Sequence, residues 1–151
     1  MSDSLPDESG RLAEQLLHLT RRLQRAQKRR LEPLGVTPAQ ARLLRIVGHR
    51  DRDGRAPRMA DLAQRLEVVP RAVTTLVDAL ESHGSVRRAP DPDNRRVVRI
   101  ELTDAGRATL RTLRAARRAA AEDVLAPLSA QQRQVLGGLL DTLGPDPERR
   151  R

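Results

Sequence analysis

The amino-acid sequence predicts a mainly α-helical protein with one small β-hairpin. Three observations support this fold class. Apolar residues recur at helical spacing over most of the chain, clear helix-start and helix-stop residues separate the segments, and the spacing changes to alternation only near residues 98–102. The 151 residues are enough for one domain with a hydrophobic core and too few for two ordinary ones. We therefore expect a single domain over residues 1–151.

The first helix is predicted over about residues 9–32. Its apolar side chains form one helical stripe, consisting of Leu12, Leu16, Leu19 and Leu23. Pro33 and Gly35 end this helix because proline cannot continue it and glycine tolerates the turn that follows.

A second helix is predicted to start at Thr37. Thr37 can cap the helix, Pro38 suits its first position and Gln40 can complete a capping box. Polar residues 48–57 predict a loop after it. Two shorter helices follow, and their apolar faces are Met59, Leu62, Ala63 and Leu66, and then Val73, Leu76, Val77 and Leu80.

The segment 86–102 is predicted to be a β-hairpin. Residues 90–94 have turn chemistry, and apolar residues 98, 100 and 102 alternate with Arg99 and Glu101, which predicts a strand with one buried face. A long helix follows the hairpin, and a capping box at Ser129 starts the last one.

Charge and composition restrict the function. Lys and Arg number 29 against 20 Asp and Glu, so the net charge is +9, which predicts a polyanionic partner. A genome that favours arginine codons is the alternative explanation for this positive charge. The absence of cysteine excludes thiol chemistry. The absence of Phe, Tyr and Trp removes aromatic stacking on single-stranded nucleic acid.

No catalytic, cofactor or membrane motif is recognisable in the sequence. Nucleophile triads, phosphate loops and paired carboxylates are missing, and the three histidines lie far apart. We expect neither an enzyme nor a bound cofactor or metal. No run of 18 apolar residues occurs and the first ten residues are polar. A cytoplasmic protein without membrane contact is the resulting expectation.

Residues 59–80 have the spacing of a helix-turn-helix, with a short break at residues 67–69. The side opposite the apolar face of the second helix carries Arg71, Ala72, Thr74, Thr75 and Asp78, of which the first four are the candidate DNA-binding residues. Arginine can reach a base edge or a phosphate, the threonines suit thymine methyl groups, and the small alanine permits close approach. An ordinary amphipathic helix pair is the alternative.

The predicted hairpin places Arg95 and Arg96 at its tip. Two guanidinium groups on a projecting loop fit a narrow minor groove, and Asp93 is positioned to pair with Arg95 and aim it. A solvated charged turn is the alternative. A helix-turn-helix followed directly by a basic hairpin is a winged helix, predicted over about residues 36–102. We therefore expect double-stranded DNA as the partner, with a non-specific nucleoid-associated or RNA-binding protein as the competing hypothesis.

Residues 34–106 resemble the MarR (multiple antibiotic resistance regulator) family of bacterial transcription factors. The similar stretches are Leu34–Gln40, Asp61–Leu66, Pro70–Glu81 and Asp91–Arg96, with the wing signature at Asp93, Arg95, Leu102 and Thr103. The resemblance implies a sequence-specific regulator, usually a repressor. It also implies a major-groove role for Arg71, Thr74 and Thr75 and a minor-groove role for Arg95. Two positions depart from the family pattern: Glu67 replaces a common glycine, and Val69 replaces a common serine or threonine.

The resemblance further implies a homodimer built from terminal helices at about residues 9–32 and 104–144. Their apolar stripes support this, because a small winged-helix core offers them no obvious partner. The alternative is that both stripes pack on their own chain. The family also suggests a small anionic effector, which a stripe of arginines on the long helix could attract. Solvated helix faces are the alternative reading of that stripe: Arg107, Arg111, Arg114 and Arg118.

Overall fold

The computed structural model describes residues 5–52 and 54–144. The described elements are α1 (Leu5–Leu31), α2 (Pro38–Arg52), α3 (Met59–Leu66), α4 (Pro70–Ser82), β1 (Val86–Pro90), β2 (Val98–Leu102), α5 (Asp104–Leu125) and α6 (Ala130–Leu143). This order confirms the predicted fold class, a mainly helical protein with a single hairpin in the described part of the chain.

The starts of α2 and α6 lie where local chemistry predicts them, whereas α1 begins at Leu5, before the predicted start at about residue 9. In the capping box of α2, the Thr37 amide donates to Gln40 Oε1 at 3.0 Å and the Gln40 amide donates to Thr37 Oγ1 at 3.2 Å. Ser129 and Gln132 form the same pair of hydrogen bonds at the start of α6. Before α2, a short 3-10 turn ends at Gly35, whose φ of 65° is in the left-handed region.

The predicted loop over residues 48–57 is wrong in its first part, because α2 continues to Arg52. Gly48 lies inside the helix and does not end it. A Cβ at this position would lie 2.3 Å from Leu110 Cδ2 and 3.2 Å from Leu102 Cδ1. The glycine therefore permits close packing of α2 against two leucines, a contact that a pattern of neighbouring residues does not reveal.

Residues 27–117 form one compact unit with its own hydrophobic core. Helices α2, α3 and α4 and the hairpin supply most of that core. Its fully buried side chains are those expected from the periodicity and include Leu43, Leu44, Leu62, Val73, Val77, Leu80 and Ile100. The burial of Val73, Val77 and Leu80 in this core fixes which face of α4 points outward.

The two strands pair antiparallel, with Val86 opposite Leu102 and Pro90 opposite Val98. The predicted burial of β2 needs one correction. Val98 is exposed and Arg99 is buried, whereas Ile100 and Leu102 face the core as expected. Arg99 is buried because its guanidinium pairs with the buried carboxylate of Asp91 and donates to the Ala56 carbonyl at 2.5 Å.

The second compact unit contains the described residues up to 26 and from 118 onward. Its helices leave apolar side chains exposed in the single chain. Leu12 and Leu16 on α1 are both 49% exposed, and Leu143 on α6 is 75% exposed. Leu17 and Leu19 on α1 and Val135, Leu139 and Leu140 on α6 are exposed as well. Within residues 5–52 and 54–144, no helix is both long and apolar enough to cross a membrane.

Candidate nucleic-acid interface

The turn between α3 and α4 contains the two residues that depart from the family pattern. Glu67 ends α3 with a φ of 57°, in the left-handed region that favours glycine. Val69 stands at the N-cap of α4 with extended backbone and no side-chain cap hydrogen bond. The backbone at Glu67 is strained because this residue is not glycine. The start of α4 is uncapped because the valine side chain has no hydrogen-bond acceptor.

Arg42 of α2 supports this turn, although no sequence motif marks it as a functional residue. Its guanidinium donates to the carbonyl of Arg65 at 3.0 Å and to that of Leu66 at 3.3 Å. Both carbonyls lie in the last turn of α3, where the final carbonyl groups of a helix have no amide partner within the helix itself. Arg42 precedes Arg65 and Leu66 by 23 and 24 positions, which explains why no local pattern indicates the contact.

The outward face of α4 carries the predicted recognition residues. Arg71, Thr74 and Thr75 are exposed, and Ala72 is partly buried. The hydroxyls of Thr74 and Thr75 donate to the carbonyls of Pro70 and Arg71 at 3.3 and 3.2 Å. Each hydroxyl thus keeps its lone pairs free to accept from a ligand.

The hairpin tip is shaped by Asp91 and Asn94. The carboxylate of Asp91 accepts from the amides of Asp93 and Asn94 at 2.8 and 3.3 Å, and Asn94 Oδ1 accepts from the Arg96 amide at 3.1 Å. The amide of Asp93, together with the pairing to Arg99, holds the pKa of Asp91 below its usual value against the opposing effect of burial. Asp91 and Asn94 therefore order the loop that carries Arg95 and Arg96.

The predicted pairing of Asp93 with Arg95 does not occur among the described residues. The carboxylate of Asp93 instead lies 3.8 Å from the guanidinium of Arg55, and both side chains are largely exposed. Arg55 belongs to the loop before α3. That loop lies beside the hairpin because the Ile100 amide donates to the Pro57 carbonyl at 2.9 Å. Tertiary packing thus brings Arg55, and not Arg95, close to the carboxylate of Asp93.

The hairpin arginines fall into two groups. Arg87 pairs across the strands with Glu101 at 2.8 Å, Arg88 contacts two carboxylates of α4, and Arg99 is buried with Asp91. In contrast, the described residues provide no ion pair for the exposed side chains of Arg95 and Arg96. Only the tip arginines therefore present an uncompensated charge at the end of the hairpin.

The described residues show no sign of a metal centre. No three side chains of His, Asp or Glu among them lie close enough to hold one ion. The arrangement instead combines an exposed helix face carrying Arg71, Thr74 and Thr75 with an ordered, positively charged loop tip. Such a surface can contact the phosphates and base edges of a duplex.

Two helices joined by a tight turn and followed by an arginine-tipped hairpin define a winged helix-turn-helix protein of the DNA-binding class. The model of the MarR family matches residues 36–98. The HTH-type transcriptional repressor Rv2887 of Mycobacterium tuberculosis is 34% identical over 118 residues, which cover 77% of this chain and 81% of that repressor. The chain belongs to the MarR family of DNA-binding transcriptional regulators, as the sequence resemblance predicted.

Solved structures support the same assignment. A crystal structure of Rv2887 in complex with DNA superposes with a TM-score of 0.74 at 30% identity and covers 88% of this chain and 97% of the other. The YusO protein of Bacillus subtilis gives a TM-score of 0.73 at 26% identity, with coverage of 95% and 97%. The similarity therefore extends beyond the winged helix to the terminal helices.

Proposed function

We propose that this protein is a repressor that binds a near-palindromic duplex operator as a homodimer. Helix α4 would enter the major groove with Arg71, Thr74 and Thr75, and Ala72 would permit close approach of its backbone. Arg95 and Arg96 would enter the adjacent minor groove, with Asp93 beside them at the loop. The observation that carries the proposal is the outward exposure of the α4 side chains together with two unpaired tip arginines.

The dimer is supported by the apolar side chains that α1 and α6 leave exposed. A second copy would bury them at a two-fold interface, which gives each recognition helix a symmetric counterpart. In such dimers the half-sites lie about one helical turn, roughly 10 base pairs, apart. A single domain over residues 1–151, with dimerisation helices at both ends, is part of the same proposal.

A small anionic effector completes the proposed function. Rv2887, which has been crystallised with DNA, has also been crystallised with salicylic acid, and that complex gives a TM-score of 0.70 at 31% identity. On the basis of that relationship, we propose that this chain also binds an aromatic carboxylate. Its net charge of +9 favours anions in general. We further propose a cytoplasmic location and no catalytic activity, in keeping with a regulator.

The decisive experiment selects bound duplexes from a random pool and then compares affinities. The wild-type protein should prefer the selected duplex over a scrambled one of equal length. Log affinity for both should fall linearly with log salt because phosphate-bound counterions are released. A preference ratio near one would refute sequence-specific binding and favour the non-specific nucleoid or RNA-binding alternative.

The variant Arg95→Ala tests the hairpin. We expect about a tenfold or greater loss of affinity for the selected duplex, with the dimer intact by native mass spectrometry. Arg87→Ala is the matched control, since it removes one positive charge from the same hairpin at a residue that pairs with Glu101. Equal affinities of the two variants for the selected duplex would refute the proposed contact between the hairpin tip and DNA.

A further inference from the structure

Arg88 joins the first strand of the hairpin to the recognition helix. Its guanidinium pairs with Asp78 at 2.5 Å and also with Glu81, and its backbone amide donates to Glu81 Oε1 at 3.2 Å. The two acids lie three positions apart on α4, which places them on neighbouring turns of the helix. One residue of β1 thus contacts α4 through both its side chain and its backbone.

Asp78 lies on the DNA-facing side of α4. It follows Arg71 by seven positions and Thr74 by four, which is the spacing of one helix face, and it is exposed. A lone carboxylate on this face would repel the phosphates of a duplex. Pairing with Arg88 compensates that charge, and the contact raises the pKa of the Arg88 guanidinium, chiefly through the hydrogen bond to Asp78.

We propose that Arg88 is a positioning residue for operator binding, which acts through its pair with Asp78. The pair holds the hairpin at one position relative to α4 and neutralises a carboxylate on the face that meets the phosphates. The hairpin tip and the recognition helix must enter two adjacent grooves together, so a fixed relation between them lowers the cost of binding. This inference rests on the proposed function.

Arg87 is the natural comparison. It is the preceding residue on the same strand and carries the same charge, but its partner is Glu101 of the other strand. Loss of Arg87 therefore leaves the link between the hairpin and α4 unchanged. Both variants lose one positive charge, so a difference in affinity between Arg87→Ala and Arg88→Ala reports on the contacts of Arg88 with Asp78 and Glu81.

The experiment is a double-mutant cycle on full-length protein, with affinity for the duplex selected by the wild type as the readout. We expect Arg88→Ala to bind about tenfold more weakly than Arg87→Ala. Adding Asp78→Ala to Arg88→Ala should restore about threefold of the affinity, because an unpaired carboxylate is removed. Asp78→Ala in the wild-type background should not tighten binding, because that carboxylate is already paired.

The inference is overturned if Arg88→Ala binds as well as Arg87→Ala, or if Asp78→Ala changes affinity by the same factor in both backgrounds. Circular dichroism and native mass spectrometry establish that each variant is folded and dimeric. Should Arg88→Ala unfold, Arg88→Lys replaces it, because one ammonium group keeps the charge but cannot bridge both acids. Equal binding by Arg88→Lys and Arg87→Lys then refutes the proposal. A wild type that does not prefer the selected duplex refutes the proposed function itself.

Discussion

Replacing Glu67 with glycine should stabilise the protein. Its φ of 57° places a side-chain-bearing residue in the left-handed region, where it ends α3 before the recognition helix. The backbone amide of Glu67 donates to the Gln64 carbonyl at 3.3 Å, so the conformation is part of the helix end. The side chain is exposed and has no hydrogen bond or ion pair among the described residues.

The expected gain from Glu67→Gly is the difference between two opposing effects. Holding an L-residue in the left-handed conformation costs about 1–2 kcal/mol, which glycine avoids. Glycine in turn loses more backbone entropy on folding, by about 0.5–1 kcal/mol. The net effect is a rise of about 0.5–1 kcal/mol in the free energy of unfolding, or about 1–4 °C in Tm for a chain of this size.

The assay is urea unfolding followed by far-ultraviolet circular dichroism, because a chain without Phe, Tyr or Trp has no aromatic fluorescence to follow. Protein concentration must be held constant, since dissociation of a dimer contributes to its apparent stability. Glu67→Ala is the control, because it removes the same side chain but keeps the backbone strain. If Glu67→Gly is no more stable than Glu67→Ala, the strain assigned to this turn is refuted.

Three further predictions concern Val69, Gly106 and Asp91. Val69→Ser should supply the missing N-cap and raise the free energy of unfolding by about 1 kcal/mol in urea titrations, whereas Val69→Ala should leave it unchanged. Gly106→Ala should lower the Tm, with a cost of about 1–3 kcal/mol, because its Cβ would lie 1.8 Å from the Ser85 carbonyl oxygen; an unchanged Tm would show that this contact relaxes freely. Because folding lowers the pKa of Asp91, its ionised carboxylate stabilises the fold at pH values above the ordinary aspartate pKa. This contribution is lost as the pH falls through the folded-state pKa of Asp91. Urea titrations across acid pH should therefore show a shallower decline in Asp91→Asn than in the wild type, and parallel curves would contradict the assignment.

Local sequence patterns suffice to predict the order of elements, most helix ends and the outward face of the recognition helix. Thr37 with Gln40 and Ser129 with Gln132 form their predicted capping boxes, since each hydrogen bond joins residues three positions apart. The burial of Val73, Val77 and Leu80 follows from helical periodicity alone. These features depend on neighbours within one or two turns, which a linear sequence displays directly.

The pairing of charged residues and the end of α2, in contrast, depend on contacts between elements that are distant in the sequence. The burial of Arg99, the contact of Asp93 with Arg55 and the bridge from Arg88 to Asp78 each depend on elements that folding brings together. Gly48 lies inside α2 at a position that leucines from β2 and α5 approach too closely for a Cβ, so the glycine marks a tertiary contact and not a helix end. Arginine side chains are long and can reach several carboxylates, so their partners are set by the relative placement of whole elements and not by spacing along the chain.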